Sequence, residues 1–288
     1  MAKKIFNVVS QSLSDSDFRI WGGRLSDALT EIGFAKTADT GQIDWATATR
    51  VTVANTYAGY EIRAFSDDLQ ATVPVYLKIE YGAGSNAAYI GMRITMGRAT
   101  DGAGTLLGEV AGPLLIDPSG NSTAYYPCVV SGGTDRIEVG MLMTATSYSF
   151  CFWVERVKDN SGNPTDIGVD LGGMSRSSSY QQMLPKKGMA YPVTVPMTSG
   201  IIMSALPNNT IKLSYAGNLG FYPIYSNMGY AANPSLAACF YATASIGSVG
   251  SIITVSIYGQ NHDYIIGGFP INMTNGNNLG ISLALRYE

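Results

Sequence analysis

The stretch VYLKIEYGAGSNAAYIGMRITMGRATDGAG, from Val75 to Gly104, contains the clearest evidence for the fold class. Val75–Tyr81 and Tyr89–Met96 are predicted strands, because both are short and rich in β-branched, aromatic and other apolar residues. Glycine-rich turns follow them, GAGSN from Gly82 and TDGAG from Thr100. Short strands separated by such turns favour sandwich or jelly-roll modules over alternating βαβ units.

The same pattern continues on both sides of this stretch. Further predicted strands are Tyr60–Phe65, Arg136–Thr144, Tyr148–Val157, Ile211–Tyr215, Ile252–Tyr258 and Ile281–Tyr287. The segments KDNSGNP from Lys158 and NGNN from Asn275 provide additional turns. The chain is therefore predicted to be mostly β, built from β-sandwich or jelly-roll modules with one short N-terminal helix.

That helix is predicted over residues 16–33, where Ser16 can cap its start and Gly33 can end it. Apolar residues recur there at spacings of three and four and form one stripe, which consists of Phe18, Trp21, Leu25, Ala28 and Ile32. The pair Gly22–Gly23 lowers the helix propensity, so the stripe needs a surface to pack against. We expect it to cover the protein's own sheet, with docking onto a partner or onto symmetry-related copies as the alternative.

The composition indicates a globular chain and argues against several partners. Of the 288 residues, 46% are hydrophobic, which is enough for a substantial core. The net charge is -3 and basic residues form no run longer than a pair, so neither nucleic acid nor an anionic membrane is an expected partner. The three cysteines lack the spacing of a zinc site or a disulfide framework and are expected to be buried thiols. The first apolar run is too short for a signal peptide, which predicts a chain made and kept in a cytoplasm.

Charge is concentrated in the first two-thirds of the chain. The sequence has 18 basic and 21 acidic residues, and those that follow Lys187 are Lys212, Asp263, Arg286 and Glu288. Surfaces that other subunits cover tend to lose charged residues, so this asymmetry predicts self-assembly, with a trimer as the favoured closed oligomer. The charge density changes across the loop-like stretch Gly172–Pro192, which predicts a division into two modules, residues 1–175 and the charge-poor residues 190–288.

Part of this uncharged region resembles a membrane span in hydropathy alone. Leu236–Gly259 has no charged residue, but Ser, Thr and Gly are scattered through it, which makes it a poor spanning helix. Ile253, Val255 and Ile257 alternate with polar residues after the turn segment GSVGS. The segment is therefore predicted to be a strand, turn and strand that form a hairpin, and no membrane partner is expected.

Candidate catalytic residues are scarce. The single histidine, His262, lies beside Asp263, but no GxSxG or Cys/His spacing accompanies it, so a position in a turn is favoured. Gly102, Gly104 and Gly108 miss the spacing of the dinucleotide fingerprint and predict a hairpin turn. We expect a non-enzymatic protein with no catalytic residues and no cofactor.

The loop Lys158–Asp170 is the candidate cation site. It contains oxygen donors of the kind that calcium takes, namely Asp159, Asn160, Asn163, Asp166 and Asp170. It lacks the distal bidentate glutamate and the register of an EF-hand, so a long hairpin turn is favoured and no metal ligand is assigned.

The segment FYPIYSNMGY, Phe221–Tyr230, is the candidate contact surface of the charge-poor module. It combines flat apolar faces with hydroxyl and amide groups, which suits a subunit interface or, as the alternative, a bound glycan. The candidate contact residues are Phe221, Tyr222, Tyr225 and Tyr230.

Four consecutive features resemble an N-terminal block of virion structural proteins from tailed bacteriophages. They are a helix ending in IGF, then KTADTGQIDW, then YEIRAFSDDLQATVPVYLKIEYGAG, then ITMGRATDGAGTLLG, and together they cover Phe18 to Gly108. The resemblance implies a multi-copy structural component of a neck, tail, short fibre or capsid surface, assembled in the bacterial cytoplasm and contacting copies of itself and other virion proteins. The alternative is a receptor-binding or glycan-binding module at a tail tip, with a host-surface glycan as its partner.

Overall fold

The computed structural model describes residues 2–9, 14–117, 125–142, 150–159, 161–175, 178–185, 194–196, 221–227, 232–242, 249–270 and 281–288. Within these ranges the chain forms three antiparallel β-sheets and one α-helix, which confirms the predicted mostly-β class. The predicted strand Ile211–Tyr215 and the NGNN turn lie outside the described residues.

The elements follow one another along the chain in a simple order. They are β1 (Ala2–Val9), α1 (Asp15–Glu31), β2 (Tyr57–Ala64), β3 (Tyr76–Ala83), β4 (Ile90–Thr100), β5 (Leu106–Ile116), β6 (Tyr125–Gly132), β7 (Arg136–Met141), β8 (Phe150–Lys158), β9 (Pro164–Ser175), β10 (Ser178–Pro185), β11 (Thr194–Pro196), β12 (Phe221–Asn227), β13 (Ala232–Ala242), β14 (Ile252–Ile257), β15 (Gln260–Pro270) and β16 (Ile281–Arg286). A single 3-10 turn, Asp68–Ala71, links β2 to β3.

Each sheet is built mainly from strands that are neighbours in sequence. The four-stranded sheet is the meander β2-β3-β4-β5, and the seven-stranded sheet has the order β1-β6-β7-β8-β9-β10-β11. The C-terminal sheet has the order β12-β13-β16-β15-β14, so its last strand inserts between two earlier ones. The predicted division into residues 1–175 and 190–288 stays a prediction, and β11 belongs to the seven-stranded sheet.

The N-cap of the helix lies two residues before the predicted cap, and the helix itself spans Asp15–Glu31. Ser14, not Ser16, is the N-cap, because Asp17 completes a reciprocal capping box with it: the Ser14 hydroxyl accepts from the Asp17 N–H, and the Ser14 N–H donates to the Asp17 carboxylate. At the other end Gly33 has a φ of 94°, a conformation that favours glycine, and the chain leaves the helix there.

The main core lies between α1, the four-stranded sheet and one face of the seven-stranded sheet. All five residues of the predicted stripe, Phe18, Trp21, Leu25, Ala28 and Ile32, are buried in it. They share this core with Leu77 and Ile79 of β3, Ile137 of β7 and Phe152 of β8. The helix therefore covers the protein's own sheets.

The Gly22–Gly23 pair has a packing role that the sequence did not reveal. The indole ring of Trp45 lies directly against Gly22, and a Cβ atom at Gly22 would come within 1.9 Å of the Trp45 ring. Trp45 also contacts the rings of Phe18 and Tyr81, at centroid distances of 5.4 and 4.9 Å. The glycine thus lets the segment after the helix pack tightly onto the helix.

Two predictions about connections were wrong. The stretch Gly172–Pro192, predicted as a loop, contains the end of β9 and all of β10, which pair with each other. Gly172 of β9 lies against the ring of Trp153, and a Cβ atom there would come within 2.1 Å of that ring. The segment Leu236–Gly259 does not form a hairpin, since β13 pairs with β12 and β16 whereas β14 pairs with β15.

The hairpin turns before β5 and before β9 were predicted correctly. Thr100 pairs with Leu106 across the TDGAG turn, in which Gly102 has a φ of 76°. Lys158 pairs with Pro164 across the KDNSGNP turn. In the part of the chain that the structure describes, no helix is long and apolar enough to cross a bilayer.

Candidate functional site

Glu61, on β2, is fully buried near α1 and accepts from many donors. Donors converge on its carboxylate from the helix, from β2 itself, from the neighbouring strand β3 and from the segment after the helix. They are Ser26 Oγ at 2.6 Å, Lys36 Nζ at 2.7 Å, Trp45 Nε1 at 2.8 Å, Arg63 Nη2 at 2.8 Å and Tyr81 Oη at 3.1 Å. We call these six side chains the Glu61 cluster.

Arg63 extends this cluster to the C-terminal end of the helix. Its guanidinium is fully buried and donates to the Ser26 carbonyl at 2.9 Å, to the Thr30 hydroxyl at 3.1 Å and to the Phe34 carbonyl. A buried arginine with a carboxylate and several carbonyl acceptors is fully satisfied. It fixes the position of the helix relative to the sheet.

The electrostatics of the cluster favour an ionised Glu61. Burial would raise the pKa of Glu61, but Arg63, Lys36 and Ser26 together outweigh burial and hold that pKa below its ordinary value. Burial and the adjacent Glu61 carboxylate raise the pKa of Tyr81 well above its ordinary value. The arrangement is a saturated structural network, because each carboxylate oxygen already accepts from several donors.

A second polar region lies where the C-terminal sheet packs on the seven-stranded sheet. Strands β7 and β8 are buried along their whole length on both faces. One face belongs to the main core, whereas the other contacts β13 and β16. We call this second contact the joint.

Among the described residues, hydrogen bonds cross the joint at Ala237 and at Glu288. The Ala237 N–H of β13 donates to Glu155 Oε2 of β8 at 3.1 Å. At the chain's last residue, the Glu288 N–H donates to Ser131 Oγ at 3.4 Å, and that hydroxyl donates to the Glu288 carbonyl at 3.3 Å. The joint is therefore partly polar, and contacts between domains often have this character.

Charged side chains of both signs line the joint. Arg136 Nε lies 2.8 Å from Glu138 Oε1 on β7, and Arg286 Nη2 lies 2.9 Å from Glu288 Oε2. Lys158 pairs with Asp135. A cleft of about 530 Å³ opens at one end of the joint, and its charged lining consists of Asp135, Arg136, Lys158, His262 and Arg286. The cations of this cleft are engaged with carboxylates, so it is not an open anion site.

Glu138 is a carboxyl group of the joint whose pKa is raised. Burial raises the pKa of Glu138 to about 7, with Arg136 and Arg286 opposing the rise and Glu155 adding to it. Its Oε2 atom is buried and has no hydrogen-bond partner among the described residues. The indole nitrogen of Trp153, which lies opposite Glu138 in the β7–β8 ladder, is likewise buried without a partner in the described structure.

The prediction that His262 lies in a turn was wrong. His262 belongs to β15 and pairs with Val255, because the turn is formed earlier by Tyr258 and Gly259, which both have positive φ. Its ring is 5% exposed, and Nδ1 lies 3.2 Å from Glu288 Oε1 and not against Asp263. Burial and the nearby Arg286 lower the pKa of His262, which favours a neutral ring at pH 7.

The oxygen donors of Lys158–Asp170 do not converge. The carboxylate of Asp159 accepts from the Ser161 and Asn163 backbone N–H groups at 2.8 and 2.9 Å, as in a closed hairpin turn. Asp170 lies on β9 opposite Glu155, inside the joint. Across the described ranges, no three His, Cys, Asp or Glu side chains are placed to hold a metal ion together. Asn160 lies outside the described residues.

The candidate aromatic residues lie partly within the described structure. Phe221, Tyr222 and Tyr225 belong to β12, which forms one edge of the C-terminal sheet. Tyr230 lies outside the described residues. Their assignment to a subunit interface or a glycan stays a prediction.

Both polar regions escaped the sequence analysis. Glu61, Arg63 and Glu138 each occupy a strand position that alternates with apolar residues, a pattern that predicts a solvent-facing side chain. A usable signal was the recurrence of oppositely charged residues two apart in EIR and RIE, which places both charges on one face of a strand. The burial itself comes from the elements that cover that face.

Comparison with known proteins gives no match: no family model matches the chain, and neither a curated protein nor a solved structure does.

Proposed function

We propose that this chain is a non-enzymatic, multi-copy structural component of a tailed-phage particle, placed at the neck, tail, short fibre or capsid surface. The resemblance over Phe18–Gly108 supplies the class of particle. The architecture is compatible with that role, because rigid antiparallel sheets and a helix buried within the fold suit a building block.

The observation that carries the proposal is the surface of the C-terminal sheet. Of the charged residues after Lys187, Arg286 is buried in the joint, and Asp263 and Glu288 are half-buried. Among the side chains described beyond residue 188, none that carries a charge is fully exposed. A surface with so little exposed charge suits burial by neighbouring subunits.

The polar clusters support a structural role as well. The Glu61 cluster is saturated by donors from its own chain, and the joint engages its cations with carboxylates. Both networks hold elements of the fold together. The buried charges in these two networks therefore have a structural role.

Self-association is the first test of this proposal. Sedimentation velocity and light scattering at micromolar concentration should show a closed oligomer, with a trimer favoured. Quantitative mass spectrometry of purified virions should detect the chain in several copies per particle. A chain that is monomeric in solution and missing from virions would overturn the proposal.

A receptor-binding or glycan-binding module is the second candidate. It is favoured by the position of Phe221, Tyr222 and Tyr225 on an edge strand, which a partner can approach along the sheet edge. A glycan array should then show binding that Tyr225→Ala abolishes while the oligomer persists. Loss of the oligomer in Tyr225→Ala without any glycan signal would instead assign the residue to the subunit interface.

A further inference from the structure

We propose that the joint is a proton-responsive contact in which protonated Glu138 favours docking of the C-terminal sheet and ionised Glu138 favours its release from β7 and β8. This inference is independent of the proposed role in a virion. It rests on where Glu138 lies and on what surrounds it.

The first step is the environment of the Glu138 carboxyl. Oε1 accepts from Arg136 Nε at 2.8 Å, whereas Oε2 is buried without a hydrogen-bond partner among the described residues. Burial of a charged carboxylate oxygen that accepts no hydrogen bond is unfavourable, whereas a protonated carboxyl group at the same place carries no net charge. The docked arrangement therefore suits the acid form.

The second step is the set of charges that face Glu138. Arg136 lies on the same strand, Arg286 on β16 and Glu155 on β8, and the two arginines oppose the effect of burial. Farther along the joint lie Asp170, His262, Lys158 with Asp135, and Glu288. Of these groups, His262 acts with the opposite sign, because burial lowers its pKa from 6.5 and docking therefore weakens as the pH falls below 6.5.

The third step is that the C-terminal sheet covers Glu138. Strands β13 and β16 contact β7, and β13 contacts β8. Release of this sheet would return Glu138 to water, where its pKa approaches 4.5. A group with a pKa of about 7 when docked and 4.5 when released weakens docking by up to about 300-fold as the pH rises through that interval.

The two described cysteines outside disulfides provide an internal reporter and its control. Cys151 is fully buried on β8, and its neighbours Phe150 and Phe152 point into the main core, so Cys151 faces the joint. Cys128 is buried within the main core. Release of the C-terminal sheet should expose Cys151 and leave Cys128 protected.

The experiment measures alkylation of each cysteine by N-ethylmaleimide with peptide mass spectrometry between pH 5.5 and 8. Rates are divided by those of the unfolded chain at the same pH, which removes the titration of the thiol. We expect the protection of Cys151 in the wild type to fall about 25-fold relative to that in Glu138→Gln over this range. Glu31→Gln, at a half-exposed ion pair on α1, is the matched control and should follow the wild type.

The comparison with Glu138→Gln cancels the contribution of His262, which both proteins share. Parallel pH profiles for the wild type and Glu138→Gln would overturn the proposal. It would also be overturned if Cys128 lost protection together with Cys151, since the whole fold would then be opening. If Glu138→Gln does not fold, carbon-13 NMR of the wild type decides: a Glu138 carboxyl that titrates near 7 supports the proposal, and one that titrates near 4.5 refutes it.

Discussion

At the scale of single residues, this fold depends on charges that are buried and paired. Arg63 has 0% of its side chain exposed and binds Glu61, the helix and the chain after the helix at once. Arg93 and Glu80 form a similar pair on the outer face of the four-stranded sheet, but the Arg93 side chain is 39% exposed. Breaking the buried Arg–Glu pair is therefore expected to cost much more stability than breaking the exposed pair.

Arg63→Met is therefore expected to lower the free energy of unfolding by about 3–5 kcal/mol, because it leaves the Glu61 carboxylate buried beside fewer donors. Arg93→Met is the matched control and should cost no more than about 1 kcal/mol. Urea denaturation followed by circular dichroism measures both. Equal costs for the two variants would contradict the structural role assigned to Arg63.

Glu61 also makes a prediction about acid. Its folded-state pKa lies below the ordinary value of 4.5, so the unfolded chain takes up a proton first as the pH falls. Its ionised form therefore contributes stability above about pH 4.5, and that contribution disappears as the pH falls through the folded-state pKa. We expect the difference in unfolding free energy between the wild type and Glu61→Gln to shrink from pH 6 to pH 3. A difference that stays constant over this range would show that folding does not shift the pKa of Glu61, and one that grows as the pH falls would show that folding raises that pKa.

At the scale of elements, α1 shows how a weak helix is supported by its surroundings. Its capping box fixes the start, and its apolar stripe is covered by two sheets. The two consecutive glycines lower its intrinsic stability, yet only Gly22 is in close contact with Trp45. A Cβ atom added at the neighbouring Gly23 would lie 3.6 Å from the nearest Trp45 atom, which is an ordinary contact distance.

Substitution of the two glycines separates helix propensity from packing. Gly23→Ala should raise the melting temperature, since alanine favours the helix by up to about 1 kcal/mol over glycine. Gly22→Ala should lower it, because the new methyl group displaces the Trp45 ring at a cost of about 1–3 kcal/mol. Calorimetry of both variants measures whether the two melting temperatures shift in opposite directions. Stabilisation by both would mean that the Trp45 ring can move without cost.

At the scale of the whole molecule, one set of residues forms the core and a different set forms the surface. The stripe on α1 is buried in the main core, so it does not face a neighbouring molecule. Among the described residues of the C-terminal sheet, Arg286 and Glu288 lie at the joint, and Asp263 is a partly exposed charge that accepts from Thr254. This arrangement separates the residues that hold the fold from those proposed to contact neighbouring subunits.

Trp21→Ala tests that separation. It removes a fully buried side chain from the main core and should cost about 3–5 kcal/mol. The loss in melting temperature should be the same at every protein concentration, and the folded variant should keep the wild-type oligomer in sedimentation velocity. Ile20→Ala, at a position 38% exposed on the same helix, is the control and should leave stability within about 0.5 kcal/mol. An oligomer lost in Trp21→Ala at temperatures where the fold persists would place the helix in an interface.

The sequence by itself determined the features that depend on local preference. The mostly-β class, the helix near the N-terminus, and the hairpin turns at Thr100 and Lys158 follow from glycine-rich turns, β-branched strands and one stripe of apolar residues, all of which act within a few residues. Only the tertiary structure decided which strands became neighbours and which charges became buried. Leu236–Gly259 looked like a hairpin because adjacent strands usually pair, yet β16 and β15 lie between its two strands. Glu61 and Glu138 are buried, although each alternates with apolar residues along its strand. Alternation shows only that a side chain points to the opposite face from its neighbours in sequence. Whether water, a helix or another sheet covers that face depends on chain segments far away in sequence.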